Sequence, residues 1–220
     1  MVEPRVCEAV EFLFNRGKIS ISLGLSSYTL QEEEAEGKSI LFLNIHTKDN
    51  VCVNNFDKVP KRKLLNWKII RPEHQFQSEK CIDHFILIKN RAGDWELHMF
   101  EMKTTVHNDT WIDVKYKVRA SYFDIKVFAI LLGINVKDEN IFVYTTYENE
   151  KFRNTQRPPL GQRVVDFKRD EWDKGCINIP LIFTNKDPLK FKTLLRFQHT
   201  KIKMYRADDG YLKNEKPLNI

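Results

Sequence analysis

The sequence predicts an α/β fold in which a mixed central sheet is flanked by helices. Two apolar segments, 81–88 and 95–105, are separated by the turn-forming residues 90–94 and are typical of a β-hairpin. An amphipathic segment over 113–132 predicts the longest helix, and the β-branched and aromatic residues of 139–148 predict a strand. Because a strand, a helix and another strand follow one another here, we expect a right-handed crossover between parallel strands.

The N-terminal part of the chain predicts a helix followed by an inserted β-hairpin. An apolar stripe with helical spacing runs through 3–16. Strands at 18–25 and 39–45 flank an acidic loop at 31–37, and we interpret about 18–45 as a hairpin added to the fold. Since an acidic loop repels nucleic acid, we expect it to face away from such a substrate.

The remaining segments add one strand and a C-terminal extension. Residues 64–71 predict the strand that precedes the central hairpin. A loop with two adjacent prolines at 151–163 divides the chain into a core, 1–150, and an extension that packs on the same domain. The last residues, 210–220, are expected to be loosely ordered.

Positive charge is concentrated in the C-terminal extension. The formal net charge is +6, but residues 151–220 hold 16 Lys and Arg against 8 Asp and Glu, and the rest of the chain holds 20 against 22. Such a surface suits contact with phosphate groups, and an ordinary lysine-rich surface would have the same composition.

Composition and motifs exclude several classes of protein. The four cysteines form no C-x-x-C pair, so a zinc knuckle or an iron–sulfur cluster is not expected. Neither a signal peptide nor a run of about 20 apolar residues is found, which predicts a soluble protein of the reducing cytosol without a membrane contact. The sequence also lacks the P-loop, G-x-S-x-G and H-E-x-x-H motifs.

Three charged residues of the central hairpin form the candidate site. Asp83 begins the first strand, and Glu101 and Lys103 lie two residues apart near the end of the second, so their side chains share a face. Pairing about the turn would bring all three to one edge of the sheet. Two carboxylates offer the oxygen ligands that divalent cations prefer, and a lysine beside them can position water or stabilise negative charge.

This arrangement resembles the PD-(D/E)xK superfamily, the restriction-endonuclease-like nucleases. The signature of that superfamily is an Asp at the head of one strand and (Asp/Glu)-x-Lys on the next, across a hairpin and before a helix. The resemblance covers roughly 63–148, and the matching residues are Asp83 and Glu101-Met102-Lys103.

The resemblance implies a metal-dependent nuclease with a restriction-endonuclease-like sheet. It implies that Asp83 and Glu101 hold Mg²⁺ or Mn²⁺, with the backbone carbonyl of Met102 as a further ligand, and that Lys103 orients the attacking water. DNA is the favoured substrate, a homodimer would serve to cut both strands, and the superfamily's roles include defence and mobile elements.

The same resemblance suggests supporting residues. Many members add a Glu from the first helix to the metal site, and Glu11 is the candidate here. The helix after the Glu-x-Lys strand often lends a polar residue, for which Lys117 and Tyr122 are the nearest candidates. Basic residues of this helix, of the cluster at 58–63 and of the C-terminal extension are candidates for nucleic-acid contact: Lys117, Arg119, Lys61, Arg62, Lys190 and Lys192.

Other interpretations stay open at the level of sequence. Glu101 and Lys103 would also suit an exposed ion pair on a strand, and Asp83 would suit a turn cap. The chain would then be a catalytically inactive, nuclease-like subunit for nucleic-acid binding or assembly, or an interaction subunit that uses the hairpin at about 18–45.

Overall fold

The structure is a computed structural model of the 220-residue chain. It describes residues 2–14, 18–33, 39–58, 81–152, 171–180 and 194–220. Within these ranges the fold is α/β and is built on one large mixed sheet of eleven strands, so the predicted class is confirmed.

Helices α1 (Pro4–Leu13) and α2 (Asn108–Leu131), a short 3₁₀ helix (Phe56–Lys58) and a helical turn at 171–173 accompany the strands in the described part of the chain. The strands are β1 (Ser20–Leu23), β2 (Ser27–Glu33), β3 (Ile40–His46), β4 (Asn50–Asn54), β5 (His84–Lys89), β6 (Trp95–Glu101), β7 (Thr105–Val106), β8 (Val136–Tyr147), β9 (Asn149–Glu150), β10 (Cys176–Pro180), β11 (Leu194–Arg206), β12 (Leu212–Asn214) and β13 (Leu218–Asn219).

The centre of the sheet is the series β4-β5-β6-β8. The first three strands are antiparallel neighbours, and β8 runs parallel to β6 after the chain has returned through α2. Strand β1 borders β4, and β11 lies parallel to β8 on the other side. Parallel neighbours joined by a helix are the crossover that the sequence predicts.

The long strand β11 joins this centre to a second group of strands. Its first residues pair with β10, its middle with β8 and its last three with β12. Strand β3 then pairs with β12, β13 and β2, so the complete order is β1-β4-β5-β6-β8-β11-β12-β3-β13, with β10 and β2 at its sides. The short strands β7 and β9 form a separate pair.

The central strands are buried on both faces, but by different elements. Side chains of one face, including Phe85 and Leu97, pack in a core with α1 and α2. Side chains of the other face, including Ile86 and Phe100, pack against apolar residues of β2 and β3. The apolar character of both faces, typical of a covered sheet, is therefore explained by helices on one side and by the folded-back β2-β3 pair on the other.

Three predicted elements of the N-terminal half differ from the structure. The hairpin pairs Ser27–Glu33 with Ile40–His46, whereas the strand at 18–25 pairs with β4 instead. The central strand β4 arises from a segment whose pattern predicts no strand. It lies beside β5, and 64–71, which were predicted to form the strand that precedes the central hairpin, lie outside the described residues.

The C-terminal residues also differ from expectation. The segment 210–220 is not loosely ordered, because it forms β12 and β13, which pair with β3. The described part of 151–220 thus contributes four strands, β10 to β13, to the main sheet.

Candidate active site

The register of the β5-β6 pair brings Asp83 and Glu101 together. His84, the first residue of β5, lies opposite Phe100, and the Asp83 amide donates to the Phe100 carbonyl at 3.2 Å. Asp83 therefore lies directly before β5, beside the end of β6. The Asp83 carboxylate in turn accepts a hydrogen bond from the Met102 amide at 2.6 Å. Both carboxylates are buried, with Asp83 2% and Glu101 0% exposed. A backbone turn after β6 therefore fixes the orientation of the aspartate.

Two lysine ammonium groups contact these carboxylates. Lys103 Nζ and Lys117 Nζ each lie 2.6 Å from Glu101 Oε1, and Lys117 Nζ also lies 3.5 Å from Asp83 Oδ1. Lys103 comes from the segment after β6, and Lys117 comes from the third turn of α2. Helix α2 thus places a second ammonium group beside the two carboxylates that the β5-β6 hairpin brings together.

Burial and the two neighbouring ammonium groups shift the pKa of Glu101 in opposite directions. Burial and the Asp83 carboxylate raise the pKa of Glu101 to about 7, although the two ammonium groups oppose this shift. For Lys103 and Lys117, burial lowers the pKa of each ammonium, but the Glu101 and Asp83 carboxylates outweigh burial and make the net shift upward. The lysines stay charged, and Glu101 gains or loses a proton near neutral pH.

One oxygen of Glu101 is buried and has no hydrogen-bond partner in the described part of the chain. The two lysines both contact Oε1, whereas Oε2 is orphaned. A buried polar atom without a partner is costly, and a bound ligand would offset that cost. Carboxylate oxygens are the donors that hard divalent cations prefer, so Asp83 and Glu101 fit a cation of that class.

Two further carboxylates approach Asp83 from elements outside the central hairpin. One oxygen each of Glu32, Asp57 and Asp83 lies within 4.8 Å of the others, a spacing compatible with a shared cation. Burial and the Asp83 charge raise the pKa of Glu32 to about 7. Lys58 Nζ lies 3.7 Å from the Glu32 carboxylate and only partly offsets these effects.

Glu32 falls in the segment 31–37, which the sequence predicts to be an acidic loop, so it is not among the predicted site residues. In the structure β2 extends to Glu33, and Glu32 follows Tyr28 and Leu30 on the face of β2 that points inward. The expectation that the whole acidic segment faces away from the site is therefore wrong for Glu32. The alternation of apolar residues at 28 and 30 was the available signal, since a strand continues its period of two.

Several candidate residues lie elsewhere. Glu11 is exposed on α1. Tyr122 donates its hydroxyl hydrogen bond to Asp138 at 3.0 Å and not to the Asp83–Glu101 pair. Arg119 is 5% exposed, which leaves little of its side chain for nucleic acid. The basic candidates of the two remaining segments lie outside the described residues: Lys61, Arg62, Lys190 and Lys192.

Comparison with known proteins gives no relative. No protein-family model, curated protein or solved structure matches this chain. In the ranges that the structure describes, no helix has both the length and the apolar character needed to cross a membrane.

Proposed function

We propose that the chain is a metal-dependent nuclease that hydrolyses phosphodiester bonds, with DNA as its favoured substrate. The observation that carries this proposal is the convergence of two buried carboxylates, Asp83 and Glu101, with two lysine ammonium groups where β5 begins and β6 ends. A purely structural ion pair needs one cation for one carboxylate and does not need an orphaned oxygen. This group pairs two carboxylates with two ammonium groups and still leaves one buried acceptor unsatisfied in the described part of the chain.

The order of the central elements supports a restriction-endonuclease-like fold. The superfamily signature consists of a strand that begins with Asp, a second strand that pairs with it as a hairpin and carries Glu-x-Lys, and a helix that follows. Here Asp83 precedes β5, Glu101 ends β6 and Lys103 follows it, after which α2 returns the chain to β8. We propose this fold for the centre of the sheet, with β11 and the β2-β3 pair as additions.

Asp83 and Glu101 would hold Mg²⁺ or Mn²⁺, and Glu32 and Asp57 approach Asp83 closely enough to share a cation with it, although Glu101 is outside that group. Bound there, the cation would supply Lewis-acid stabilisation of the phosphate and a bound water of lowered pKa. The role of the Met102 carbonyl as a ligand stays a prediction, and the structure shows only that its amide orients Asp83.

The lysines of the site supply the remaining chemistry. Lys103 is the more accessible of the two, with 25% of its side chain exposed against 15% for Lys117. We assign Lys103 to orient the attacking water and to stabilise the charge that develops on the phosphate oxygens. Lys117 contacts both carboxylates, which suits a residue that fixes their positions.

Cleavage of supercoiled plasmid and of single-stranded DNA in Mg²⁺ or Mn²⁺ tests the proposal. Asp83→Asn, Glu101→Gln and Lys103→Met should each reduce the rate by a factor of about 10² or more, because each removes a charge that the chemistry uses. Asp94→Asn is the matched control, since Asp94 lies in the turn at the other end of the hairpin and pairs with Lys137. Wild-type cleavage by Glu101→Gln would end the proposal.

A catalytically inactive subunit for nucleic-acid binding or assembly is the second candidate. It is favoured by the contacts of Lys103 and Lys117 with Glu101, which neutralise one carboxylate oxygen without any metal. This candidate predicts nucleic-acid binding that weakens steeply with salt and no cleavage with any divalent cation. Calorimetric titration with Mn²⁺ separates the two functions, because only the nuclease should lose a binding heat in Asp83→Asn.

A further inference from the structure

A cavity lies at the end of the β5-β6 hairpin that is remote from the carboxylates. Its volume is about 770 Å³, and it is lined by the start of β2, the end of β3, the β5-β6 turn and the last residues of β13. Because β5 has six residues and a strand rises about 3.3 Å per residue, the cavity is about 20 Å from Asp83. Its size is that of a typical small-molecule site.

The cavity is lined by three cationic side chains, two of which have no carboxylate partner among the described residues. Lys48, Lys89 and Arg91 line it. Lys89 is paired with Glu3 at 2.6 Å, whereas neither Lys48 nor Arg91 has a carboxylate partner among the residues that the structure describes. Two unpaired cations at one cavity favour an anionic ligand.

A negatively charged carboxylate lies on another part of the cavity wall. Glu96 lines the cavity and accepts hydrogen bonds from Asn90 Nδ2 at 2.8 Å and from His98 Nε2 at 3.3 Å. The hydrogen bond from His98 lowers the pKa of Glu96, so the carboxylate stays ionised. Since burial lowers the pKa of His98, the ring is neutral; with Nε2 protonated, its Nδ1 accepts from the Tyr144 hydroxyl at 2.9 Å. A fixed carboxylate accepts hydrogen bonds from hydroxyl groups.

We propose that this cavity binds a small phosphorylated molecule with hydroxyl groups, the class of sugar phosphates. The phosphate lies against Lys48 and Arg91, and the hydroxyl groups donate to Glu96. No Phe, Tyr or Trp of the described residues lines the cavity, so a nucleobase finds no stacking surface there.

Isothermal titration in EDTA with ribose 5-phosphate as the probe tests this site. The wild-type chain should bind the probe, and the double variant Lys48→Ala, Arg91→Ala should bind it at least about tenfold more weakly, since two charge-assisted contacts are lost. Lys137→Ala, which removes an exposed lysine paired with Asp94, is the control and should leave the affinity unchanged.

Three results would overturn the assignment. One is the absence of binding at 10 mM probe, a concentration roughly tenfold above a Kd of about 1 mM. Another is equal affinity for inorganic phosphate, which would remove the role of the hydroxyl groups. The third is binding of a short single-stranded oligonucleotide, but not of ribose 5-phosphate, that is lost in the double variant. Because the titration contains no metal and measures no cleavage, its failure leaves the proposed nuclease function unaffected.

Discussion

At the scale of single residues, Glu101 is the most informative side chain of the molecule. It is fully buried, it contacts two ammonium groups through one oxygen, and its other oxygen has no partner in the described part of the chain. The sequence predicted its position, because the two-residue spacing to Lys103 and the turn at 90–94 are local signals. The resemblance suggested Lys117 of the following helix as a polar residue of the site, but no local signal predicted that its ammonium group would contact the same carboxylate oxygen as Lys103.

The raised pKa of Glu101 makes metal binding depend on pH. A cation needs the ionised carboxylate, and a pKa of about 7 means that the ionised fraction rises about tenfold from pH 6 to pH 8. We therefore expect the affinity for Mn²⁺, measured by calorimetry, to rise by about that factor over this range. In Glu101→Gln the affinity should be lower and its pH dependence smaller. An affinity that is constant between pH 6 and pH 8 in the wild-type chain contradicts this role of Glu101.

Lys117 should matter for stability as well as for the site. Replacing it by Met leaves Asp83 and Glu101 with one fewer cation, and we expect the free energy of unfolding to fall by about 2 kcal/mol at pH 8. The loss should be smaller at pH 6, since a protonated Glu101 needs no cation, in agreement with a raised pKa that destabilises the fold as pH rises through 7.

Urea unfolding at the two pH values measures this effect. Lys126→Met is the control, because Lys126 lies on the same helix and pairs with the half-exposed Asp138. Equal losses for Lys117→Met at pH 6 and pH 8 would show that Glu101 does not titrate in this range.

At the scale of elements, the β2-β3 pair does more than cover the sheet. Its inward residues Tyr28 and Leu30 close one side of the core, and the same face carries Glu32 to Asp83. The sequence predicted a hairpin in this region but paired the wrong segments, because short strands of similar composition at 18–25 and 27–33 compete for the same partner. Pairing is decided by which strand buries its apolar face, and that information is not local.

Two neighbouring residues of β2 allow a matched test of this element. Glu32 points inward and Glu33 is exposed on the other face. If Glu32 belongs to the cation site, Glu32→Gln should weaken Mn²⁺ binding at least about tenfold while Glu33→Gln leaves it unchanged. Calorimetric titration of the two variants checks this expectation, and identical affinities would remove Glu32 from the ligand set.

At the scale of the whole molecule, the chain is organised by a sheet whose neighbours are distant in sequence. Strand β3 pairs with β12 and β13, and β11 separates the centre of the sheet from this group. The sequence did not reveal β12 and β13, because both are very short and lie in a polar, lysine-rich segment. Their formation depends on the edge that β3 offers and not on the propensity of their own residues.

The stability of the fold should therefore depend on the last residues of the sheet. Leu212 of β12 is fully buried in the core that β2 and β3 share with the central strands. We expect Leu212→Ala to reduce the free energy of unfolding by about 3 kcal/mol, through lost burial and the cavity that remains. Leu131→Ala, at an exposed position of α2, is the control and should change it by less than about 0.5 kcal/mol. Equal effects in urea unfolding would show that 210–220 contribute no core.

The pairing of β3 with β12 and β13 also bears on how the chain acquires its structure during synthesis. Leu41 and Leu212 are register partners 171 positions apart. Contacts between such distant positions close large loops and slow folding. When only the first half of these residues has emerged from the ribosome, the β2-β3 pair has one edge without a partner. We therefore expect chaperones to bind the nascent chain until 212–219 have emerged and paired with β3.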